Sequence, residues 1–285
     1  LIINADDFGF TSGVNRAIVE AHVHGVVTSS TLMANGPAFA DAVQLATTTP
    51  NLSIGCHVVL TDGNPVLPAD QLPSLTRAAH FRDGMIGFAA RAIAGRMHAS
   101  EITAEATAQI RKIQSASISV SHIDTHKHTH LFPSILRALL RAASDCGVRV
   151  IRNPFGPRLP LRSSHLLTRP NLWTRYVEVR VLGGFAGKFR QAVDREGFAT
   201  PDGTLGIVVT GALDETLFFA IARSIPEGTW EFVCHPGYND ADLQAGKTRL
   251  RASRETELRV LTLPAAREVL AQQGIELISY RDLAP

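Results

Sequence analysis

The chain has 285 residues, 45% of them hydrophobic and 19% charged, which is enough to bury a large core and fits a single α/β domain over 1–285. Its 28 basic residues against 26 acidic ones leave a formal charge of +2, too even a balance for a nucleic-acid surface. No apolar run is long enough to span a membrane and no leader pattern is present. Three cysteines, Cys56, Cys146 and Cys234, are odd in number and lack C-x-x-C spacing. Neither a disulfide framework nor a cysteine zinc knuckle is indicated, and a reducing cytoplasm is expected. The chain opens on Leu1 rather than Met, which is expected of a trimmed start.

In chain order, short β-rich runs alternate with longer amphipathic ones. "LIIN" opens the chain as a strand and runs into Asp6 and Asp7; a helical pattern follows over 12–24. "VVTSSTLMA" precedes a helix over 37–48, and "LSIGCHVVL" precedes an interval, 60–99, that breaks the rhythm with Pro65, Pro68 and Pro73. A helix over 100–116, "VSHIDTH", a helix over 132–146 and "VRVIRNP" come next. A second proline-rich interval, 154–190, separates these from "LGIVVTG", a helix over 213–224, "WEFVCHP", a long helix near 248–273 and "IELISY". Strand then helix, repeated this often, predicts a modified (β/α) barrel of the TIM type with about seven parallel strands; a doubly wound sheet has the same signature. The two intervals read as loop insertions that wall a substrate cleft. The basic run "KTRLRASRETELR" at 247–259 reads as a solvated helix face.

Polar residues recur where strands stop: Asp6 and Asp7, His57 in "IGCHVVL", His126 closing "HIDTH", Arg152 after "VRVI", and His235 closing "EFVCH". In a parallel barrel every C-terminal strand end opens on one face, so these side chains would converge there. Adjacent Asp6 and Asp7 point apart along extended chain and can hold different tasks, one as a base and the other on a metal. Read alone, the pair is equally a helix cap or a turn anion. A lone His57 in an apolar run is equally a core histidine. Alternation turns Cys56 and Cys234 away from their neighbouring histidines and makes them buried small hydrophobes.

"HIDTHKHTH" places His122, His126, His128 and His130 on even positions, four of the eleven histidines within nine residues. Imidazole is the commonest protein ligand for zinc and similar ions. The strand is expected to end near His126, leaving His128 and His130 in the following loop. Asp124 would point with His126 and support an imidazole. Two histidines with one carboxylate leave open positions on a metal, the arrangement of a catalytic site. Asp6 could then take a proton from water and His235 give one to a leaving group. Arg152 would orient the base carboxylate or reach an oxyanion.

With these residues together, the chain resembles the YdjC-type carbohydrate deacetylases, a family that includes chitooligosaccharide and hopanoid-associated deacetylases. The resemblance rests on "NADDFG" (4–9), "GVNRAIVEAH" (13–22), "GCHVVLTDG" (55–63), "HIDTHKHTH" (122–130), "IRNPFG" (151–156) and "CHPGYND" (234–240). It implies removal of an acetyl group from an N-acetylated amino sugar, with one divalent metal held by Asp7, His57 and His126 and with Asp6 as base. Zinc is favoured; magnesium, cobalt, nickel, manganese and iron suit the same ligands. It also implies Arg152 and His235 as the assisting arginine and the acid, and a homodimer. Phe81, Phe88, Phe155, Trp173 and Tyr176 are read as core for the most part, with stacking on a sugar or lipid aglycone as the alternative. A metal-dependent sugar isomerase or phosphoesterase on the same barrel, or an inactive sugar-binding module, stands as the competing reading. "VVTGALD" at 208–214 offers a glycine turn but no basic residue for such a phosphate site.

Overall fold

Strand β1 (Ile2–Phe8) is buried along its whole length, because it lies inside a parallel sheet covered on both faces. The structure, a computed structural model, describes residues 1–82, 84–157, 172 and 183–283. β1 pairs on one side with β2 (Ser29–Leu32), which pairs in turn with β3 (Ser53–Val58). A two-residue hairpin, β4 (Thr76–Arg77) with β5 (His80–Phe81), stands apart from the sheet. β6 (Ile123–Thr125) adds to β3, while β7 (Gly203–Leu205) and β8 (Trp230–Cys234) extend the other side of β1. The resulting order is β6-β3-β2-β1-β8-β7, all parallel.

This sheet curls into part of a barrel. The strand expected at "VRVIRNP" is not a full strand: the sector between β6 and β7 is stitched by single bridges, Ile123 to Ile151 and Val150 to Ala199. Among the described residues, six strands therefore make the ladder. "IELISY" likewise forms one bridge, Ile278 to Ile2. "LGIVVTG" contributes its first residue to β7 and then turns, since Gly206 (φ 92°) and Gly211 (φ 73°) adopt left-handed backbone that breaks extended chain.

Helices fill the crossovers. α1 (Ser12–Val23) starts where the Thr11 hydroxyl accepts the Val14 N–H at 3.1 Å. α2 (Phe39–Thr48) leads to β3. The 60–99 interval, expected as a loop insertion, holds besides the hairpin a helix, α3 (Met85–Ile93). α4 (Ala99–Ser115) packs against β3 and against α5 (Pro133–Asp145), the latter opened by Pro133 in its first turn. The long helix predicted near 248–273 is two, Ala252–Thr262 and Pro264–Gln272. Pro264 has no N–H to continue the first helix but suits the first turn of the second.

Candidate active site

The C-terminal ends of β1, β3 and β6 lie side by side, and the structure brings Asp7, His57 and His126 together there. His57 Nε2 is 3.5 Å from Asp7 Oδ1, His126 Nδ1 is 3.4 Å from the same oxygen, and the two ring nitrogens are 3.3 Å apart. The adjacent carboxylates do diverge, but by more than alternation. β1 carries an extra residue between Ala5 and Phe8 against β2, and Asp7 has φ 69°, a left-handed conformation uncommon outside glycine. That bulge swings Asp7 toward the histidines and leaves Asp6 pointing into the barrel.

Asp6 is gripped by Arg152, with Nη1 to Oδ2 at 2.9 Å and Nη2 to Oδ1 at 2.6 Å. The Asn4 amide and the Thr31 hydroxyl donate to Oδ1 at 3.0 and 3.3 Å. Burial raises the pKa of Asp6, but Arg152, His57 and His235 together outweigh it and hold the carboxyl below its ordinary range. Arg152 is itself fully buried; it also pairs with Asp124 and donates from Nε to Glu231 at 2.9 Å. Glu231, on β8, is steadied by the Thr204 hydroxyl at 2.8 Å.

Asp124 supports His57 rather than its sequence neighbour His126: its Oδ1 is 2.8 Å from His57 Nδ1. Desolvation pushes the His57 imidazole down, yet Asp124, Asp6 and Asp7 outweigh it and raise its pKa from 6.5 to about 9. His235 sits with Nε2 3.8 Å from Asp6 Oδ2. Its backbone N–H donates to Glu257 at 2.6 Å, and its Nδ1 is 4.0 Å from the same carboxylate oxygen.

The other histidines separate by depth. β6 ends at Thr125, so His126 opens a turn that bends sharply at Lys127 and His128, with φ of 57° and 52°. His128 faces the cleft. His130 is buried and its Nδ1 is 2.6 Å from the Thr125 hydroxyl, which ties the turn to the strand end. His122 lies in the core, stacked on Tyr280 with ring centroids 3.5 Å apart. Cys56 and Cys234 are buried and take no part in the cluster.

The site forms the floor of a cleft of about 1640 Å³ whose lining includes Met33, Met85, Ile86 and Phe155. Phe155 thus reaches the cleft, whereas Phe81 and Phe88 are core. Trp173 and Tyr176, with most of the 154–190 interval, lie outside the described residues.

Two charged residues of the 247–259 run turn inward, against the expectation of a wholly solvated face. Arg254 is 1% exposed and pairs with Asp7, while Glu257, one turn further, reaches His235. Their phase matches Leu250, Leu258 and Leu261, all buried, and that spacing was the signal available in the sequence. Glu231 had no such signal beyond being the one charge in an apolar strand.

The donor set fits a divalent metal. Asp7, His57 and His126 offer one carboxylate oxygen and two ring nitrogens, all within 4.8 Å of one another. Asp124, anchored on Nδ1 of His57, leaves Nε2 facing the other two groups. Asp6, His57 and Asp124 are equally close. In that second group, however, both carboxylates are neutralised by Arg152.

Known proteins resemble this chain along its length. A carbohydrate deacetylase of Brevibacillus brevis is 32% identical over 285 residues, covering 99% of each chain. A carbohydrate deacetylase of Geobacillus stearothermophilus is 32% identical over 281 residues, covering 99% of this chain and 96% of that protein. A solved structure from Enterococcus faecalis V583, described as a candidate cellobiose-phosphate cleavage protein, is 27% identical with a TM-score of 0.80, covering 100% of this chain and 98% of that one. The sequence also matches the YdjC-like protein family over residues 1–272. With its strand-end carboxylates and histidines in place and its whole length aligned, the chain belongs to the YdjC-like protein family.

Proposed function

We propose that the chain is a metal-dependent carbohydrate deacetylase that hydrolyses the acetyl amide of an N-acetylated amino sugar, in an oligosaccharide or a glycolipid. The observation that carries this reading is the approach of Asp7, His57 and His126 to within 3.3–3.5 Å of one another at the floor of an open cleft. The relatives described as carbohydrate deacetylases support the substrate class.

In this reading Asp7, His57 and His126 hold one divalent ion, with zinc favoured. Such an ion polarises a carbonyl and makes water more acidic. Asp6 accepts the proton of the attacking water, since Arg152 keeps its carboxylate ionised and fixed in direction. The same ion pair weakens Asp6 as a base, which a water made more acidic compensates. As the C–N bond breaks, His235 in its protonated form delivers a proton to the departing amine, with Glu257 accepting its backbone N–H and offering a negative charge 4.0 Å from its Nδ1. Acetate and the free amino sugar result. The cleft is wide enough for more than one sugar ring and partly apolar, in keeping with an aglycone. A single domain, a homodimer and a cytoplasmic location belong to the same reading; the three unpaired cysteines support the last.

The test is acetate release from N-acetylglucosamine oligomers and acetylated glycolipids by the zinc-loaded protein. Release from one class establishes the reaction and the acceptor; no release from any overturns the reading.

A further inference from the structure

Arg254 is a buried cation of the site carried by a helix rather than by a strand end. It comes from the helix Ala252–Thr262, passes the chain at Gly237 and meets Asp7 at Oδ2, the carboxylate oxygen that the histidines do not approach. Its guanidinium is held on two arms. Nε donates to the Leu250 carbonyl at 3.2 Å and Nη2 donates to Asp7 Oδ2. The Phe10 ring lies 5.9 Å from its Cζ. Gly237 makes room for the stem: a Cβ there would stand 2.9 Å from Arg254 Cδ.

The third arm has nothing to do. Nη1 is buried yet finds no hydrogen-bond acceptor among the described residues, although Arg254 lines the cleft. A charged donor left without a partner in such a place is costly unless a ligand serves it. Because Nη1 and Nη2 belong to one rigid planar group, whatever Nη1 serves lies directly beside Asp7. Under the reading proposed above, the substrate group delivered to that spot is the acetyl amide.

We propose that Arg254 is a substrate-binding residue of this reaction: its Nη1 donates to the acetyl oxygen of the bound amide, and afterwards to the carboxylate of acetate, while Nη2 holds Asp7. The interaction strengthens as negative charge grows on the carbonyl oxygen, so it favours the tetrahedral state over the bound amide. This inference rests on the deacetylase reading.

The experiment compares wild type, Arg254→Lys and Arg254→Gln as full-length, zinc-loaded proteins. It measures kcat and KM on an acetylated sugar, zinc content, and acetate affinity by calorimetry. The inference expects zinc bound in stoichiometric amount, kcat down by ~10²–10³-fold with KM changed little, and acetate affinity down by about tenfold or more. Zinc content that falls in step with kcat, leaving turnover per bound zinc unchanged, shows that Arg254 acts through Asp7 alone and overturns the inference. So does a variant that keeps its kcat while wild type is active. A wild type that releases no acetate overturns the underlying reading and this inference with it. Should both variants unfold, a crystal structure of wild type with acetate decides: acetate oxygen within hydrogen-bonding distance of Nη1 supports the inference, and acetate bound elsewhere overturns it.

Discussion

Asp124 and His57 face each other across neighbouring strands, with Asp124 Oδ1 2.8 Å from His57 Nδ1. The contact fixes which nitrogen of the ring carries its proton inward and which faces Asp7 and His126. Asp124 therefore orients His57, a candidate ligand, without belonging to the Asp7, His57 and His126 group. Asp124→Asn keeps the side-chain shape but offers a neutral acceptor, and metal affinity is expected to fall ~10–100-fold. Competition against a chelator of known affinity measures this; an unchanged dissociation constant would show that Asp124 serves only Arg152.

The same pair makes the metal-free protein sensitive to pH. Folded His57 titrates near 9 against an ordinary 6.5, so the protonated ring stabilises the fold. The sign follows: this stabilisation is complete below about pH 6.5 and is lost as pH rises through about 9, to the extent of roughly 3 kcal/mol. A metal needs the lone pair that the proton occupies. Affinity should climb close to tenfold per pH unit between about 6.5 and 9 and then level off. Melting of the metal-free protein across that window, with chelator titrations alongside, checks both halves; a flat affinity profile contradicts the assignment of His57 as a ligand.

Much of the site was legible because a buried strand that stops on an aspartate or histidine has little structural reason to do so. Asp6, Asp7, His57, His126 and His235 stand out together, by recurring at or near successive strand ends, although Asp6, Asp7 and His57 taken singly do not. Arg254 does not, since it stands among four other basic residues in 247–259 and differs from them only in helical phase with Leu250, Leu258 and Leu261. Propensity misplaced the late strands for a related reason. "LGIVVTG" has strand composition, but its two glycines turn the chain, and the ladder falls on the less apolar Gly203–Leu205. The partners of an ion pair are a three-dimensional fact: nothing local to Glu231 or Asp124 says that both meet Arg152.

That arginine invites a stability measurement. Arg152 touches Asp6, Asp124 and Glu231 while being fully buried, so its removal strands carboxylates in a dry interior. Arg152→Met is expected to cost ~3–5 kcal/mol, a fall in Tm of roughly 5–8 °C. Arg152→Lys keeps the charge without the fork and should land between. Thermal unfolding of the three proteins decides, and a methionine variant as stable as wild type would mean that the carboxylates simply take up protons.

Asp6→Asn separates the two groups of potential ligands. Asparagine keeps the volume and the hydrogen bond from the Thr31 hydroxyl, and Arg152 retains Asp124 and Glu231, so the fold should survive. If Asp6 is the base, kcat drops by ~10²–10⁴-fold while metal content stays at the wild-type level, because no Asp6 oxygen belongs to the Asp7, His57 and His126 group. Asp7→Asn and His57→Ala should do the reverse and strip the metal. Elemental analysis beside a rate assay therefore yields three distinguishable results. Retained turnover in Asp6→Asn removes the base from Asp6. Lost metal in the same variant moves the ion to the neighbouring group of Asp6, His57 and Asp124, where Arg152 would have to give way. Lost turnover with metal in place leaves Asp6 as the proton acceptor, held ionised by the arginine beneath it.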